Sequence, residues 1–387
     1  MPRRLTSADI LPMDDEATLI GRVWLTAEDG PCPVTVDKGV VRNISSLGAT
    51  ISAILNEGDE RLARLSAFPV IGELEEFLPR GNSAGSKGVL LAPNDLQAVK
   101  AAGVTFVESM LERVIEERAK GEPELADQIR ADLNRAVGRQ LGSIVPGSDA
   151  ALKVKSVLQA AGQWSQYLEV GIGPDAEIFT KAQPLSSVGC GAMVGINPMS
   201  SWNNPEPEVV LAVNAAGKIR GATLGNDVNL RDVEGRSALL LGKAKDNNGA
   251  CAIGPFIRLF DDGFSLSDVA SMEVRLTIAG EDGFMLEGTN DMTKISRTPQ
   301  DLARQTINGS HQYPDGFMLF LGTMFAPVKD RSGTGLGFTH QLNDEVRISS
   351  DRLGSLINWV GRSDEIPPWT FGIGALMNNL VKRGMIQ

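Results

Sequence analysis

The chain has 387 residues, 42% apolar and 22% charged, with a net charge of −11. That length suggests two or three domains with a core large enough to fold without staples, and the acidic balance argues against a nucleic-acid groove or an anionic membrane surface as its main partner. Three scattered cysteines (Cys32, Cys190, Cys251) and only two histidines (His311, His340) exclude a Cys/His zinc site and a disulfide framework, and fit a reducing cytoplasm.

The N-terminal stretch follows two arginines with Asp14, Asp15 and Glu16 rather than an apolar run, so no signal peptide is expected. No stretch approaches the ~18 apolar residues of a bilayer span. Residues 19–42 alternate and turn at Glu28–Pro31 and Asp37–Gly39, which predicts a small β-meander, with a helix near residues 46–56. The Gly/Ser-rich run Arg80–Gly88 predicts a boundary between a small N-terminal α+β domain (1–88) and a larger domain (89–387). A helical segment is expected over about 95–167, with Asn94-Asp95 as a cap and Phe106, Met110, Val114 and Ile115 at helical spacing. Its second and third helices are placed at 123–141 and 148–167. Beyond Gly171 the pattern becomes short strands between Gly, Pro and Asn turns, with one further helix near 298–307. The fold class is therefore α+β.

The segment 203–232 carries the strongest chemical signal. Glu206 and Glu208 are two apart, so both project from one face of an extended strand, with Val209, Leu211 and Val213 on the other. Asn214–Gly217 reads as a turn and Lys218–Leu224 as the returning strand. A four-residue loop would pair position 213 with 218 and 206 with 225, and opposed residues point the same way. Asp227 then faces the side of Glu206 and Glu208, displaced by two residues or about 7 Å. Three carboxylates in one small volume repel unless protons or a cation compensate. Oxygen ligands without histidine or thiolate suit Mg²⁺ first, and Mn²⁺ or Ca²⁺ next.

Lys243 and Lys245 follow, and a lysine beside such a cluster could bind a substrate carboxylate or enolate oxygen, although a solvated surface lysine is the common outcome. Glu177 and Lys181, four apart on a strand or helix turn, could form a plain ion pair or serve catalysis, and the residues alone do not choose. His311 and His340 sit in loop-like contexts without a readable Ser–His–Asp grouping, which favours structural hydrogen bonding.

In order, Glu206-x-Glu208, GATLGNDVNLRD with Asp227, Lys245, GTMFAPVKD and LNDEVRISSDRLGSLIN resemble the metal-and-lysine signature of the fumarylacetoacetate hydrolase superfamily, over roughly residues 90–387. AGVTFVESMLERVIEERA, WSQYLEVGIGPDAEIFTK, WNNPEPEVVL, KAKDNN and HQYPDGF resemble its longer bacterial branch of 2-keto-3-deoxy-D-xylonate (D-arabinonate) dehydratases, over nearly the whole chain. The resemblance implies a mixed β-roll catalytic domain behind a small N-terminal domain, a homodimer or homotetramer, and a small-molecule sugar-acid substrate in oxidative pentose catabolism. It also implies Mg²⁺ on Glu206, Glu208 and Asp227, positive charge from Lys245 and Lys181, and substrate hydrogen bonds from Ser109 and Thr323. Hydrolase members carry G-x-N-Y-x-x-H-x-x-E, whose His–Glu pair activates water. Here Gly103 to Glu112 keeps the glutamate but places Ser109 at the histidine position, and serine is no general base near neutral pH. Elimination is favoured over C–C hydrolysis, with Glu177 and Glu112 as candidate acid and base. The competing readings are an acylpyruvate or diketo-acid hydrolase and a non-catalytic metal-dependent sugar-acid binder.

Overall fold

The computed structural model describes residues 3–57, 67–79, 84–107, 110, 114, 144–160, 162, 164–324, 329–331 and 337–386. The meander forms as expected: β1 (Leu19–Leu25), β2 (Gly30–Asp37) and β3 (Val40–Asn43) pair in sequence, followed by the helix Ile51–Asn56. Next come β4 (Val70–Glu73), β5 (Gly88–Leu91), β6 (Ala98–Gly103) and β7 (Glu177–Ala182). After these follow β8 (Met193–Ile196), β9 (Asn203–Asn204), β10 (Pro207–Val213), β11 (Ile219–Asp227), β12 (Asn229–Leu230) and β13 (Cys251–Leu259). The series closes with β14 (Glu273–Ala279), β15 (Met285–Asp291), β16 (Phe317–Phe320), β17 (Glu345–Ser350) and β18 (Gly354–Arg362).

Eleven of these strands make one mixed sheet in the order β4-β3-β2-β1-β13-β11-β10-β16-β6-β7, with β5 beside β1. A second sheet runs β15-β14-β17-β18-β8. The large sheet must curl. Four strand spacings, about 19 Å at ~4.8 Å each, separate β7 from β11, yet Lys181 Nζ on β7 lies 2.9 Å from Asp227 Oδ1 on β11. The chain after β7 completes the turn, because Val188 bridges in parallel to Ala252 of β13, next to β11.

Both faces of β10 are buried, so the strand reads as a continuous apolar run rather than an alternating one. Val209, Leu211 and Val213 join Val274, Leu276, Ile348 and Leu356 in a core between the two sheets. Val210 and Ala212 point the other way, into the curl, with Ile253, Ile257, Phe320, Val99 and Ala101. Ile51, Ile54 and Leu55 fill the same interior. The helix that carries them closes the end where β10 turns into β11: Ala215 N donates to Asn56 Oδ1 at 2.9 Å and Asn214 Nδ2 to Leu55 O at 3.4 Å. Glu206 and Glu208 share the inward face of Val210, at the opposite end of the interior. They therefore point into a second core and not toward open solvent.

Two sequence expectations need correction. Asp95 caps no helix after it, since the following residues form β6, paired in parallel with β16. Its carboxylate instead accepts from Ile51 N at 2.6 Å and Ser52 N at 3.0 Å, capping the helix Ile51–Asn56 from a distance. The helical segment accordingly starts later than residue 95: Met110 N bonds Phe106 O, and helices run over Asp149–Ala160 and Gln166–Ile172. The helix expected at 123–141 lies outside the described residues. The helix near 298–307 is found at Pro299–Thr306, with Thr298 as its cap. The expected boundary after residue 88 coincides with the first residue of β5, and β1 hydrogen-bonds to β5 and β13, so the segments on either side share one sheet and one core.

Candidate metal centre

The three acids converge. Glu206, Glu208 and Asp227 each offer an oxygen, all within 4.8 Å of one another. Oxygens on opposite sides of an ion bound at 2.1–2.6 Å are about 4.2–5.2 Å apart, so the donor set fits a hard cation.

The hairpin delivers them by a route that differs from the predicted one. Gly217 takes φ +78, Asn214 N bonds Lys218 O at 3.0 Å, and the loop is three residues rather than four. Val213 then opposes Ile219, but Ala212 opposes Gly221, so Arg220 bulges out of β11. The shorter loop shifts the register by one residue and the bulge by one more. Their sum is even, so the predicted face is kept. Pro207 opposes Asn226, and Asp227 stands opposite Glu206 itself, with Asp227 N donating to Glu206 O at 3.1 Å, instead of two residues away.

Most of the carboxylate oxygens at the centre face a specific donor or ammonium group. Lys245, at the end of the short helix Leu241–Lys245, places Nζ 2.5 Å from Glu206 Oε2 and 3.0 Å from Asp227 Oδ2. Burial disfavours its ammonium, but Asp227 and Glu206 outweigh this and raise its pKa, so it stays charged. Lys181 pairs with Asp227 Oδ1 and also donates to Lys245 O at 2.5 Å and Val228 O at 3.3 Å. It sits at a bulge between the paired residues Thr180 and Ala182. Lys181 is thus a buried clamp on one acid and on the backbone of the other lysine. The plain pair with Glu177 is not formed: both lie on β7, four residues or about 13 Å of strand apart. Glu177 opposes Gly103, where a Cβ would come 2.0 Å from its Oε2.

Glu208 Oε2 accepts from Gly322 N at 2.6 Å. That amide is presented by φ +88 at Gly322, where a Cβ would lie 2.1 Å from Thr105 Oγ1, so glycine is required. Asn290 fastens this strand end by donating to Pro207 O at 3.1 Å and Gly322 O at 3.3 Å. Thr323 is the next residue along the chain. Burial first, then the charges of Asp227 and Glu206, push the Glu208 carboxyl well above its ordinary range, against the opposing pull of Lys245 and the Gly322 amide. With three acids against two ammonium groups, the raised Glu208 carboxyl can ionise only where a cation compensates it, which is the electrostatic signature of a place for a metal ion.

Lys243 is exposed, and Ser109 and Glu112 lie outside the described residues. His340 is buried with Nδ1 3.3 Å from Asp344 Oδ2, and His311 stacks on Tyr313 at 4.6 Å, both away from the acid cluster's hydrogen bonds. Gly322, Asn229 and Glu234 also serve the centre, and residue spacing in the sequence marks neither Gly322 nor Glu234 for it. Asn229 has a usable signal, since it follows Asp227 by two and shares its face. Its Nδ2 donates to Glu206 Oε1 at 3.0 Å and to Glu234 Oε2 at 2.6 Å.

No family model matches the chain. The fold is that of the fumarylacetoacetate hydrolases: the enzyme of that name from the psychrophile Exiguobacterium antarcticum superposes with a TM-score of 0.53 at 15% identity, over 89% of this chain and 100% of that one. A 2-keto-3-deoxy-D-arabinonate dehydratase complexed with magnesium and 2,5-dioxopentanoate superposes with a TM-score of 0.59 at 22% identity, over 89% of this chain and 99% of that one. In sequence, the chain is a relative of the 2-dehydro-3-deoxy-D-arabinonate dehydratase of Saccharolobus solfataricus, 32% identical over 192 residues. That match takes in 49% of this chain and 60% of the relative, so it spans about three-fifths of the relative's length.

Proposed function

We propose that this protein is a metal-dependent hydro-lyase that converts 2-keto-3-deoxy-D-xylonate (2-dehydro-3-deoxy-D-arabinonate) to 2,5-dioxopentanoate and water. The observation that carries the reading is the buried triad of Glu206, Glu208 and Asp227 with two lysines, in a fold shared with dehydratases of this class. The three carboxylates would hold Mg²⁺, with Mn²⁺ or Ca²⁺ as alternatives. When bound, the ion supplies Lewis acidity to the carbonyl of a 2-oxo acid.

The remaining work falls to the chain. Lys245 keeps a permanent positive charge between Glu206 and Asp227, where it attracts the anionic head of a 2-oxo acid. Lys181, fully buried and triply anchored, supports Asp227 and Lys245 from behind. Thr323, next to the amide that seats Glu208, and Ser109 are assigned to substrate hydrogen bonds. Dehydration removes a C3 proton and the C4 hydroxyl, and the leaving hydroxyl takes up a proton to depart as water. Glu177 and Glu112 are the candidates for these two transfers. The product of that loss is the C3–C4 enone, 5-hydroxy-2-oxopent-3-enoate; transfer of a proton from C5 to C3 moves the double bond to C4–C5, and this enol tautomerises to the 2,5-dioxo acid. Serine at position 109 leaves no histidine to activate a hydrolytic water, which favours elimination over C–C cleavage. The same reading makes the protein a cytoplasmic homodimer or homotetramer acting in pentose catabolism.

Incubating the purified protein with 2-keto-3-deoxy-D-xylonate and Mg²⁺ should yield 2,5-dioxopentanoate, and EDTA should stop it. Asp227→Ala should abolish turnover and the Mg²⁺-induced rise in melting temperature while the far-UV circular dichroism stays folded. Release of pyruvate from a diketo acid would identify a hydrolase, and unchanged sugar acid after long incubation a binder.

A further inference from the structure

We infer that Asn229 and Glu234 form a positioning pair that sets the orientation of Glu206 for cation binding. This inference rests on the metal reading above. Asn229 is completely buried and held by the two-stranded pairing of β12 with β9, opposite Asn204. Its single amide nitrogen carries two hydrogens, and each goes to a carboxylate: Glu206 Oε1 at 3.0 Å and Glu234 Oε2 at 2.6 Å. This also fixes which way the amide faces, because the opposite flip would turn Oδ1 toward two anionic oxygens.

The geometry grips Glu206 at both ends. Oε2 is held by the Lys245 ammonium at 2.5 Å and Oε1 by the neutral amide. An amide orients an oxygen without placing a competing charge beside a cation, so it restrains Glu206 at little electrostatic cost to metal binding. Glu234 sits on the short helix Arg231–Glu234 directly after β12, half-buried, and its acceptor stops Asn229 from rotating away. Without the amide, Glu206 Oε1 would lose this donor and its terminal torsion would loosen. Partners that orient a metal ligand in this way are commonly worth 10- to 100-fold in metal affinity.

The test is the Mg²⁺ dissociation constant, measured by calorimetry on the full chain without substrate. Asn229→Ala should weaken binding by about tenfold or more. Glu234→Ala should weaken it by a smaller factor, and Glu234→Gln should stay near wild type, because its carbonyl oxygen accepts the same hydrogen bond. The Glu234 variants decide the matter should Asn229→Ala fail to fold, since residue 234 is half-exposed. Wild-type binding with unchanged affinity in Asn229→Ala, or equal losses in Glu234→Gln and Glu234→Ala, would overturn the pair while leaving the metal centre standing. Absence of Mg²⁺ binding in the wild type would overturn the metal reading, and the pair with it.

Discussion

At the scale of single residues, the centre works by fixing acids with donors that cannot leave. Lys181 is the sharpest case, since its ammonium has an acid and two carbonyls around it and no exposure. The sequence showed Lys181 and Glu177 at a suggestive spacing but could not say that the first faces Asp227, because that contact joins residues 46 positions apart across a curled sheet. The cysteines lie at the other extreme. Burial pushes Cys190 and Cys251 up to about 12, and Cys32 up to about 11. At pH 8 thiolate populations are then about 10⁻³ or below, and thiolate is the reactive form. The native protein should therefore be nearly inert to a disulfide reagent such as DTNB, with three thiols appearing only after denaturation; rapid labelling of the folded chain would contradict the burial.

Among the elements, the β10–β11 hairpin shows how far a pattern can be read. Alternation placed Glu206 and Glu208 together, and the Asn214–Gly217 turn placed the reversal. Loop length and bulge were not legible, because glycine at the loop end is compatible with several hairpin closures and nothing in Ile219-Arg220-Gly221 announces an extra residue. The two errors were of one residue each and cancelled in parity. Deleting Arg220 would therefore only close the bulge, whereas deleting the paired residue Ala222, with loop and bulge intact, should bring Val228 opposite Glu206 and turn Asp227 to the wrong face. Mg²⁺ would then no longer raise the melting temperature, although all three acids remain in the chain. Arg220→Ala should lose packing and the hydrogen bond to Glu57 O but keep the metal-dependent rise. Asn94-Asp95 misleads for a related reason: capping residues announce a helix start, but not whether the helix follows in sequence or begins 44 residues back.

For the molecule as a whole, the change in residue character near position 88 is visible in the sequence, while the sharing of strands across it is not. β1 is a central strand, with β2 on one side and β13 on the other. A fragment of residues 89–387 would expose the β13 edge and strip Ile20 from the interior of the curl. Such a fragment should aggregate or lack near-UV circular dichroism, and cooperative unfolding of it would instead mark residues 89–387 as an independent domain. The ion pair from β7 to β11 has a consequence on this same scale. It is a clasp: one side of it seats a metal ligand and the other keeps the end strand β7 from springing away from β11, four strands back in the same sheet. Removing one member of such a buried pair costs about 3–5 kcal/mol, so Lys181→Met should speed amide hydrogen exchange along β6 and β7 as well as weaken Mg²⁺ binding. Occupancy of the centre and the closure of the barrel-like wall are then one equilibrium, and Mg²⁺ should slow exchange in strands that never touch it.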